Sequence, residues 1–493
     1  MFHLLVFGVI LCAIGWLYLR WCKVKNYWSD RGVPHVPPVP LLGSFSFLIK
    51  ENFGVWLRRM NLHFKSPYIG IWVFCRPGII INSPEIARNI LVKDFNNFRN
   101  RLVSSGVTDP IGGLNLFTVD DPIWSSLRRQ LSSVFTAFRL RMLQQYMLIK
   151  SKELVRRIHN DRNILIDLKK MYVDYTTDVI GTSAFGVKSD ATLTRGGPLR
   201  EITEDFSKYD MYRNFSWYSL YFFPELADIF RFKFFPRLAT DYFRKIFRAV
   251  ASQRETNQID EKAKDLLDFL LKIQKQNDSY SDDLIISQAA IFLLGGYESC
   301  ATLLTYTTYE LAHLPELQDK VYRELLEATK SSKDGNIDTE VLAELTYLNC
   351  VVKEGLRKYM TLTWLDRVTD KEYKIDDKVT LEPGTVVYIN IIGIQYDPQY
   401  FPEPNKFDPD RFLPENKHTV EQYSYLPFGE GPRACIGKRF GLMTAQFALA
   451  SLLLNYKIQP APNTPRPEDV KIDNRGLLYL PADSLHVSFV PRC

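Results

Sequence analysis

The order of apolar and polar positions along the chain predicts a protein built mostly from helices, with a few short strands. The apolar stretches Ile291–Thr308 and Phe440–Leu454 predict two buried helices. Runs rich in β-branched and aromatic residues predict strands at Tyr68–Val73, Gly78–Ile81, Thr385–Ile392 and Leu485–Val490, the first two joined by the turn Cys75-Arg76-Pro77-Gly78. Helices dominate between these strands.

The N-terminal residues predict a membrane anchor. Phe2 to Leu19 are almost uniformly apolar, and this length is about what the hydrocarbon core of a bilayer requires. Arg20, Lys23 and Lys25 follow, and basic residues on this flank would hold the rest of the chain in the cytosol. A cleaved secretory signal is the main alternative, but its basic start and small-residue cleavage site are not clear here. We therefore assign residues 1–20 as an anchor.

Composition divides the rest of the chain into a short hinge and one large domain. Residues 21–40 are basic and rich in proline, which fixes φ, so a semi-rigid hinge is predicted. Residues 41–493 are predicted to form one large domain, in a chain that is 46% hydrophobic and 24% charged. The net charge of +6 is scattered and gives no support for nucleic-acid binding. The seven cysteines lack C-x-x-C spacing, which argues against a disulfide framework, a zinc site and c-type haem.

The segment with the clearest chemistry is Phe428-Gly429-Glu430-Gly431-Pro432-Arg433-Ala434-Cys435-Ile436-Gly437. Gly431 and Gly437 have no Cβ to obstruct a flat macrocycle, and Phe428 can shield the sulfur of Cys435. The helix predicted just beyond would lower the thiol pKa through its N-terminal dipole. An isolated cysteine is more often an inert buried hydrophobe, but five fixed positions in ten are rare by chance. Cys435 is therefore a candidate metal ligand.

With these five residues in place, the chain resembles the cytochrome P450 superfamily, whose signature reads Phe-x-x-Gly-x-Arg-x-Cys-x-Gly. The resemblance implies haem b (iron protoporphyrin IX), with Cys435 as the axial ligand of the iron. It also implies the cytochrome P450 fold, mainly α (α+β), with a large helical domain plus a small β-rich region and an N-terminal transmembrane helix. The resemblance further implies that residues 41–493 are the haem-thiolate catalytic domain. Leu365-Asp366-Arg367 and the cysteine segment are similar to insect microsomal members of the detoxification-associated clan.

A second segment that resembles the family is Glu354-Gly355-Leu356-Arg357. Glu354 and Arg357 lie three residues apart at helical spacing, so they share one face. An isolated pair of this kind is usually a surface ion pair of little consequence. In the family the pair is buried and completed by an arginine from a later loop, which corresponds here to Arg411. The resemblance therefore implies a structural charge network with no role in the chemistry.

A third segment interrupts the long apolar helix. Gly295-Gly296 predicts a kink or local opening there. The family has a similar glycine, acid and alcohol stretch over the distal haem face, where the acid and alcohol deliver protons to the reacting dioxygen. Glu298 and Ser299 occupy those positions, and serine lacks the methyl that restrains the usual threonine. Without Cys435, Glu298 would be interpreted as a solvated helix residue.

Tryptophan and arginine residues complete the expected haem site. Trp124 and Arg128 lie four residues apart on a predicted helix, a spacing that commonly reflects cation–π contact. The resemblance implies that both bind a haem propionate, joined by Arg433. Gln395 stands where many relatives carry histidine. The basic residues Arg128, Arg129, Lys438 and Arg439 are expected near the proximal haem face, where they suit docking of an acidic electron donor, although exposed basic residues are usually only solvated.

Two further segments bear on substrate access. Met360-Thr361-Leu362-Thr363-Trp364 replaces the proline-rich stretch that lines the substrate pocket in relatives, and Trp364 is expected to narrow that pocket. Phe215–Phe235 is rich in aromatic residues, and core packing and a second membrane contact are equally open interpretations. In the family this region is a mobile lid over the substrate channel.

The resemblance implies a monooxygenase of the endoplasmic reticulum (microsomal) membrane with a cytosolic catalytic domain. It would insert one atom of O2 into hydrophobic small molecules, foremost xenobiotics such as insecticides or plant toxins. Its expected partners are NADPH-cytochrome P450 reductase, cytochrome b5 and membrane lipid. The alternatives are oxidation of endogenous lipids or hormones, a reductase-independent haem-thiolate isomerase or dehydratase, and a non-catalytic haem sensor or carrier.

Overall fold

The computed structural model describes residue 7 and residues 15–16, 18–40, 42–161, 164–208, 210–256, 265–277, 280–331 and 337–492. Most of the predicted anchor, Phe2 to Leu19, lies outside these residues, and residues 18–26 are helical.

The described helices are α1 (Phe53–Phe64), α2 (Pro84–Arg88), α3 (Pro110–Gly113), α4 (Ile123–Leu131), α5 (Ala137–Asn160), α6 (Leu168–Phe185), α7 (Ala191–Thr194), α8 (Pro198–Ser207), α9 (Met211–Phe222), α10 (Glu225–Phe230), α11 (Arg237–Thr256), α12 (Leu266–Gln276), α13 (Asp282–His313), α14 (Pro315–Ser331), α15 (Thr339–Glu344), α16 (Thr346–Lys358), α17 (Ile391–Gln395) and α18 (Lys438–Asn455). The strands are β1 (Tyr68–Val73), β2 (Arg76–Ile81), β3 (Ile166–Asp167), β4 (Leu365–Val368), β5 (Tyr373–Lys374), β6 (Thr380–Leu381), β7 (Val386–Ile389), β8 (Tyr456–Pro460) and β9 (His486–Pro491). The protein is thus mainly helical with a small β-rich region, as the sequence predicts.

The largest sheet has four strands in the order β1-β2-β7-β4. β1 and β2 form an antiparallel hairpin, β2 pairs in parallel with β7, and β7 pairs antiparallel with β4. The hairpin turn is tighter than predicted: Val73 pairs with Arg76, and Phe74 takes the left-handed conformation (φ 56°). The predicted strand Thr385–Ile392 is also shorter, because the chain leaves the sheet after Ile389 and begins α17 at Ile391. The remaining strands form a sheet in the order β3-β9-β8 and the pair β5-β6.

Helix α13 runs through the centre of the protein. Ser281 caps its N-terminus by accepting a hydrogen bond from the backbone N–H of Leu284 (3.2 Å), and Asp282 and Asp283 suit the positive end of the helix dipole. The helix packs most extensively on α6 and also contacts α18. By length and composition α13 could cross a membrane, but about two thirds of its most apolar window is buried inside the protein. It is therefore the core helix of the domain.

The prediction that the helix opens locally at Gly295-Gly296 is wrong. The helix continues through both glycines without interruption. A Cβ on Gly296 would lie 2.8 Å from the side chain of Ile180 on α6, whereas one on Gly295 would meet nothing within 4 Å. Gly296 thus lets two helices approach closely, and Gly295 leaves free space where its side chain would be.

The predicted hinge is attached to the sheet. Trp28 is fully buried and its Nε1 donates to the carbonyl of Ile71 (2.9 Å). The backbone N–H of Val36 donates to the carbonyl of Gly70 (3.1 Å), and Gly70 donates back to the carbonyl of Pro34 (2.8 Å). Residues 28–36 therefore extend the domain beside β1, and the expectation of a separate spacer ending at residue 40 is corrected, because apolar burial and backbone pairing hold the segment down.

The aromatic segment Phe215–Phe235 divides between core and surface. Phe222, Phe234 and Phe235 are buried, whereas Phe215 and Phe230 are more than half exposed. The exposed rings lie on α9 and at the end of α10, beside the exposed side chains of Met211, Tyr212 and Ile229. Core packing therefore describes only the buried rings, and a second membrane contact can involve only the exposed ones.

Candidate active site

A cavity of about 410 Å³ lies between α13, the cysteine segment and helix α9. One face of α13 borders it through Ile291, Gly295 and Ser299, which are spaced four residues apart. Cys435 borders the same cavity. Most of the other lining side chains are apolar, and the volume is typical of ligand and cofactor sites.

Cys435 lies deep in the fold, and its accessible surface faces this internal cavity. The backbone N–H of Cys435 donates to the carbonyl of Phe428 (2.8 Å), which closes the loop around the sulfur. Burial raises the pKa of the Cys435 thiol, and the backbone N–H of Gly437 and the cations of Arg128 and Arg101 oppose that rise. The expectation of a lowered pKa is therefore wrong for the protein chain alone, because desolvation outweighs the helix terminus.

Gly431 and Gly437 of the signature have different structural surroundings. Gly431 has a positive φ of 75°, and a Cβ there would lie 1.9 Å from the backbone oxygen of Leu91. This glycine is required by the packing of the loop on another backbone segment, which corrects the expectation that it clears a macrocycle. Gly437 borders the cavity, and a Cβ there would meet nothing within 4 Å. Phe428 also borders the cavity, with Lys438 Nζ 5.5 Å from its ring centroid.

Trp124, Arg128 and Arg433 line one end of the cavity together. The guanidinium of Arg433 lies 4.3 Å from the ring centroid of Trp124, and its Nη2 donates to the carbonyl of Val119 (3.1 Å). Burial lowers the pKa of Arg128. Since Arg128 borders the cavity, its sequence-level assignment to an exposed docking face is corrected, whereas Arg129, Lys438 and Arg439 are exposed.

Two more arginines, which the sequence did not identify as site residues, lie near this end: Arg101 borders the cavity, whereas Arg367 does not. Arg367 is buried and Arg101 is partly buried, both close to Arg433, and the Nε atoms of all three have no hydrogen-bond partner among the described residues. Burial and mutual repulsion lower the pKa of Arg367 and of Arg433 to about 9 each. Asp366 offers one carboxylate, but its Oδ2 already accepts the backbone N–H of Leu102 (2.6 Å). Asp120 and Asp121 also lie near Arg433, so it is the partnerless Nε atoms, rather than an excess of charge, that favour an anionic partner here.

Glu298 and Ser299 border the same cavity but make different contacts. Glu298 is buried, and its Oε1 forms an ion pair with Lys169, which also donates to Thr302 Oγ1 (3.2 Å). The Lys169 side chain is 22% exposed, so it connects the buried carboxylate with solvent. Ser299 Oγ donates to the carbonyl of Gly295 (2.6 Å).

The charge pair on α16 is fully buried. Arg357 Nε donates to Glu354 Oε2 (2.7 Å) and Arg357 Nη2 donates to Glu354 Oε1 (2.8 Å), a bidentate arrangement. Arg411 Nε lies 3.7 Å from Glu354 Oε1, and the backbone N–H of Asp408 donates to the same oxygen (2.9 Å). The network joins α16 to the loop that precedes the cysteine segment, and none of its three ionic side chains lines the cavity.

Gln395 acts as a bridge within this core. Its Oε1 accepts the backbone N–H of Leu426 (2.8 Å), and its Nε2 donates to the backbone carbonyl of Arg357 (2.8 Å). Arg357 Nη1 in turn donates to the backbone carbonyl of Gln395 (2.8 Å). Since Leu426 lies two residues before Phe428, Gln395 fixes the start of the cysteine segment to the end of α16.

Comparison with known proteins identifies the family. A family profile described as Cytochrome P450 matches residues 34–487. The chain belongs to the cytochrome P450 family. It is 34% identical to "Cytochrome P450 6k1" of Blattella germanica, covering 96% of this chain and 94% of that protein. It is 31% identical to "Probable cytochrome P450 6g2" of Drosophila melanogaster, covering 99% of both chains. These insect relatives agree with the resemblance drawn from the motifs, so this cytochrome P450 is an oxidoreductase of the monooxygenase class.

The family implies a haem cofactor, and the residues of this cytochrome P450 fit one. A haem carries two carboxylate groups, and the unpaired Nε atoms of Arg101, Arg367 and Arg433 are the buried donors that such groups need. The soft sulfur of Cys435 borders the same cavity, and the absent side chains of Gly295 and Gly437 leave space beside it.

Proposed function

We propose that this cytochrome P450 oxidises hydrophobic small molecules, foremost foreign compounds such as insecticides or plant toxins, with electrons from NADPH. The observation that carries the proposal is an apolar cavity that borders the Cys435 thiol, with a group of arginines beside it whose Nε atoms have no hydrogen-bond partner among the described residues. The similarity to insect cytochromes P450 supports the xenobiotic role.

The proposal assigns the haem to this chain's own side chains. Cys435 would hold the haem iron through its sulfur, Phe428 would shield that sulfur, and Gly437 would leave room for the macrocycle. Trp124, Arg128, Arg433 and Arg101 would bind the propionates, and the buried Arg367 would add positive charge near them. The bound haem supplies the redox centre at which dioxygen is activated.

Lys169, Glu298 and Ser299 are proposed to hold and move protons. Lys169 contacts solvent and the carboxylate of Glu298, so protons can reach the buried helix from the surface. Ser299 Oγ can receive a hydrogen bond from the cavity while it donates to Gly295, and it must release that bond, worth about 1 kcal/mol, to donate into the cavity.

The electron donor is proposed to be NADPH-cytochrome P450 reductase, with cytochrome b5 as an accessory donor. Arg129, Lys438 and Arg439 are exposed next to the segments that hold Trp124 and Cys435. Positive charge there would attract an acidic partner and shorten the electron path to the cofactor.

The enzyme is proposed to act at the endoplasmic reticulum membrane, with residues 1–20 as the anchor and the catalytic domain in the cytosol. The exposed apolar side chains of Met211, Phe215, Ile229 and Phe230 support a second contact with the bilayer. A vesicle-binding comparison of the chain with and without charged substitutions at Phe215 and Phe230 would test that contact.

The decisive experiment is the absorbance difference spectrum of the reduced protein with and without carbon monoxide. A strongly red-shifted Soret band is expected for the wild-type chain and is expected to disappear in Cys435→Ala, because alanine has no ligand atom. Turnover should then require both NADPH and the reductase. A band typical of histidine ligation would overturn the haem assignment, and turnover of a peroxide without reductase would overturn the monooxygenase assignment.

A further inference from the structure

Five aromatic side chains form a continuous wall on one side of the cavity. This aromatic wall consists of Phe117, Trp217, Tyr221, Phe234 and Trp364, all of which line the cavity. Trp217 stacks on Phe234 with ring centroids 5.6 Å apart, and Tyr221 contacts Trp364 edge to face at 5.9 Å. Phe117 joins both Tyr221 (6.2 Å) and Phe234 (6.3 Å). These separations are those at which aromatic rings attract one another.

The wall is held rigidly from behind. Trp364 contacts Phe53 edge to face (4.8 Å) and stacks on Phe222 (6.1 Å), neither of which lines the cavity. Trp217 Nε1 donates to the backbone carbonyl of Phe234 (3.2 Å). Because one face of Trp364 is covered by Phe222, the opposite face or the edge is left for a ligand. A preformed wall of this kind loses little conformational entropy when a ligand binds.

The wall carries no charged side chain. The charges nearest the wall are positive: the guanidinium of Arg101 lies 4.1 Å from the ring centroid of Phe117, and that of Arg213 lies 5.1 Å from the ring centroid of Trp217. Asp366 accepts the backbone N–H of Leu102, and Glu298 is paired with Lys169. A cationic ligand against the wall would therefore lose its hydration and face positive charge, which disfavours cations.

The wall contains two polar groups that are not yet used, the indole N–H of Trp364 and the hydroxyl of Tyr221. The hydroxyl of Tyr221 forms no hydrogen bond with the residues that the structure describes, although the side chain is buried and borders the cavity. Burial raises the pKa of Tyr221, so the hydroxyl keeps its proton and remains a donor. A ligand oxygen that accepted this proton would remove the cost of leaving the donor unpaired.

We infer that the cavity selects planar aromatic, non-cationic molecules that carry an acceptor oxygen, through stacking on the aromatic wall and a hydrogen bond from Tyr221. This inference rests on the proposed function in taking the cavity as the substrate site. It is a statement about binding preference, so it can fail while monooxygenase activity stands.

Binding to the haem-loaded wild-type protein, measured by isothermal titration calorimetry, tests the preference directly. The probes are methoxynaphthalene, its saturated analogue methoxydecalin, which has the same heavy atoms without a π face, and ethylnaphthalene, which lacks the oxygen. Methoxynaphthalene is expected to bind about tenfold more tightly than methoxydecalin, equivalent to ~1.4 kcal/mol and the size of one or two aromatic contacts. Equal affinities would overturn the stacking argument, whether or not the protein turns over either compound.

Matched variants assign the preference to the wall. Phe234→Leu keeps an apolar side chain but removes a ring, and it is expected to reduce the aromatic preference at least threefold. Phe185→Leu, a buried ring outside the cavity, is the control and should leave the preference unchanged. Tyr221→Phe should remove the advantage of methoxynaphthalene over ethylnaphthalene, and an advantage that persists would refute the role of the hydroxyl. The wild-type comparison decides the inference even where a variant folds poorly.

Discussion

Gln395 provides a sharp test of how the cysteine segment is held in place. Its side chain satisfies two backbone groups at once, the N–H of Leu426 and the carbonyl of Arg357. The substitution Gln395→Met keeps the length of the side chain but removes both polar ends, so one buried donor and one buried acceptor lose their partners. Gln395→His is the matched control, because a neutral imidazole has one donor and one acceptor nitrogen.

The magnitude follows from counting the groups left unpaired. Each buried polar group without a partner costs about 1–3 kcal/mol, so Gln395→Met should lower the free energy of unfolding by about 2–6 kcal/mol. Gln395→His should cost less than about 1.5 kcal/mol, because the polar groups remain paired and only shape changes. The methionine variant should also retain haem less well, because Leu426 lies just before the segment that holds Cys435.

Urea unfolding of the haem-loaded proteins, followed by tryptophan fluorescence and by Soret absorbance, measures both effects. The shift in midpoint multiplied by a common slope gives the difference in free energy, provided that the two signals coincide. If Gln395→Met unfolds at the wild-type midpoint, or if the histidine variant is as unstable as the methionine variant, the bridging role of the amide is wrong.

Three other substitutions test the charge network and the proposed proton path. Glu354→Gln should lower the free energy of unfolding by about 3–5 kcal/mol, because it leaves the buried Arg357 cation without a counter-charge. The exposed control Asp377→Asn should change that free energy by less than about 0.5 kcal/mol. Similar urea midpoints for the two variants would contradict the argument. Ser299→Ala should divert NADPH from product to hydrogen peroxide whereas Ser299→Thr should not, so unchanged coupling in the alanine variant would remove the hydroxyl from the proton path. Lys169→Met should lower the amount of product formed per NADPH consumed, whereas Lys169→Arg should stay near the wild-type value. Equal ratios in the two variants would show that the cation beside Glu298 has no part in the proton path.

The sequence predicted those parts of the site whose residues are close together in the chain. The cysteine segment spans ten residues, and Glu354 and Arg357 are three apart on one helix, so spacing alone brings them together. The third member of that network, Arg411, required knowledge of the family, because a loop far along the chain supplies it.

The parts that the sequence did not predict depend on contacts between distant segments. Lys169 and Glu298 are 129 positions apart and meet only because α6 packs on α13. Arg101 and Arg367 come together because the loop before α3 lies beside β4, and a single arginine in either segment carries no periodic signal. The unbroken course of α13 through Gly295-Gly296 likewise reflects packing against Ile180, which overrides the weak helix propensity of glycine.

The burial of Trp28 beside β1 determines where the chain can be cut without harm. A shortened chain that started at residue 41 would lose this indole and leave Gly70 facing an empty groove, since the Trp28 ring occupies the space that a Cβ on Gly70 would enter. A version that started just before residue 24 would keep Trp28 and also the backbone carbonyl of Val24, which accepts the indole N–H of Trp72 (2.9 Å). The same attachment fixes the direction in which the helical residues 18–26 leave the domain. A partner bound to those residues would therefore approach the domain from the side of β1.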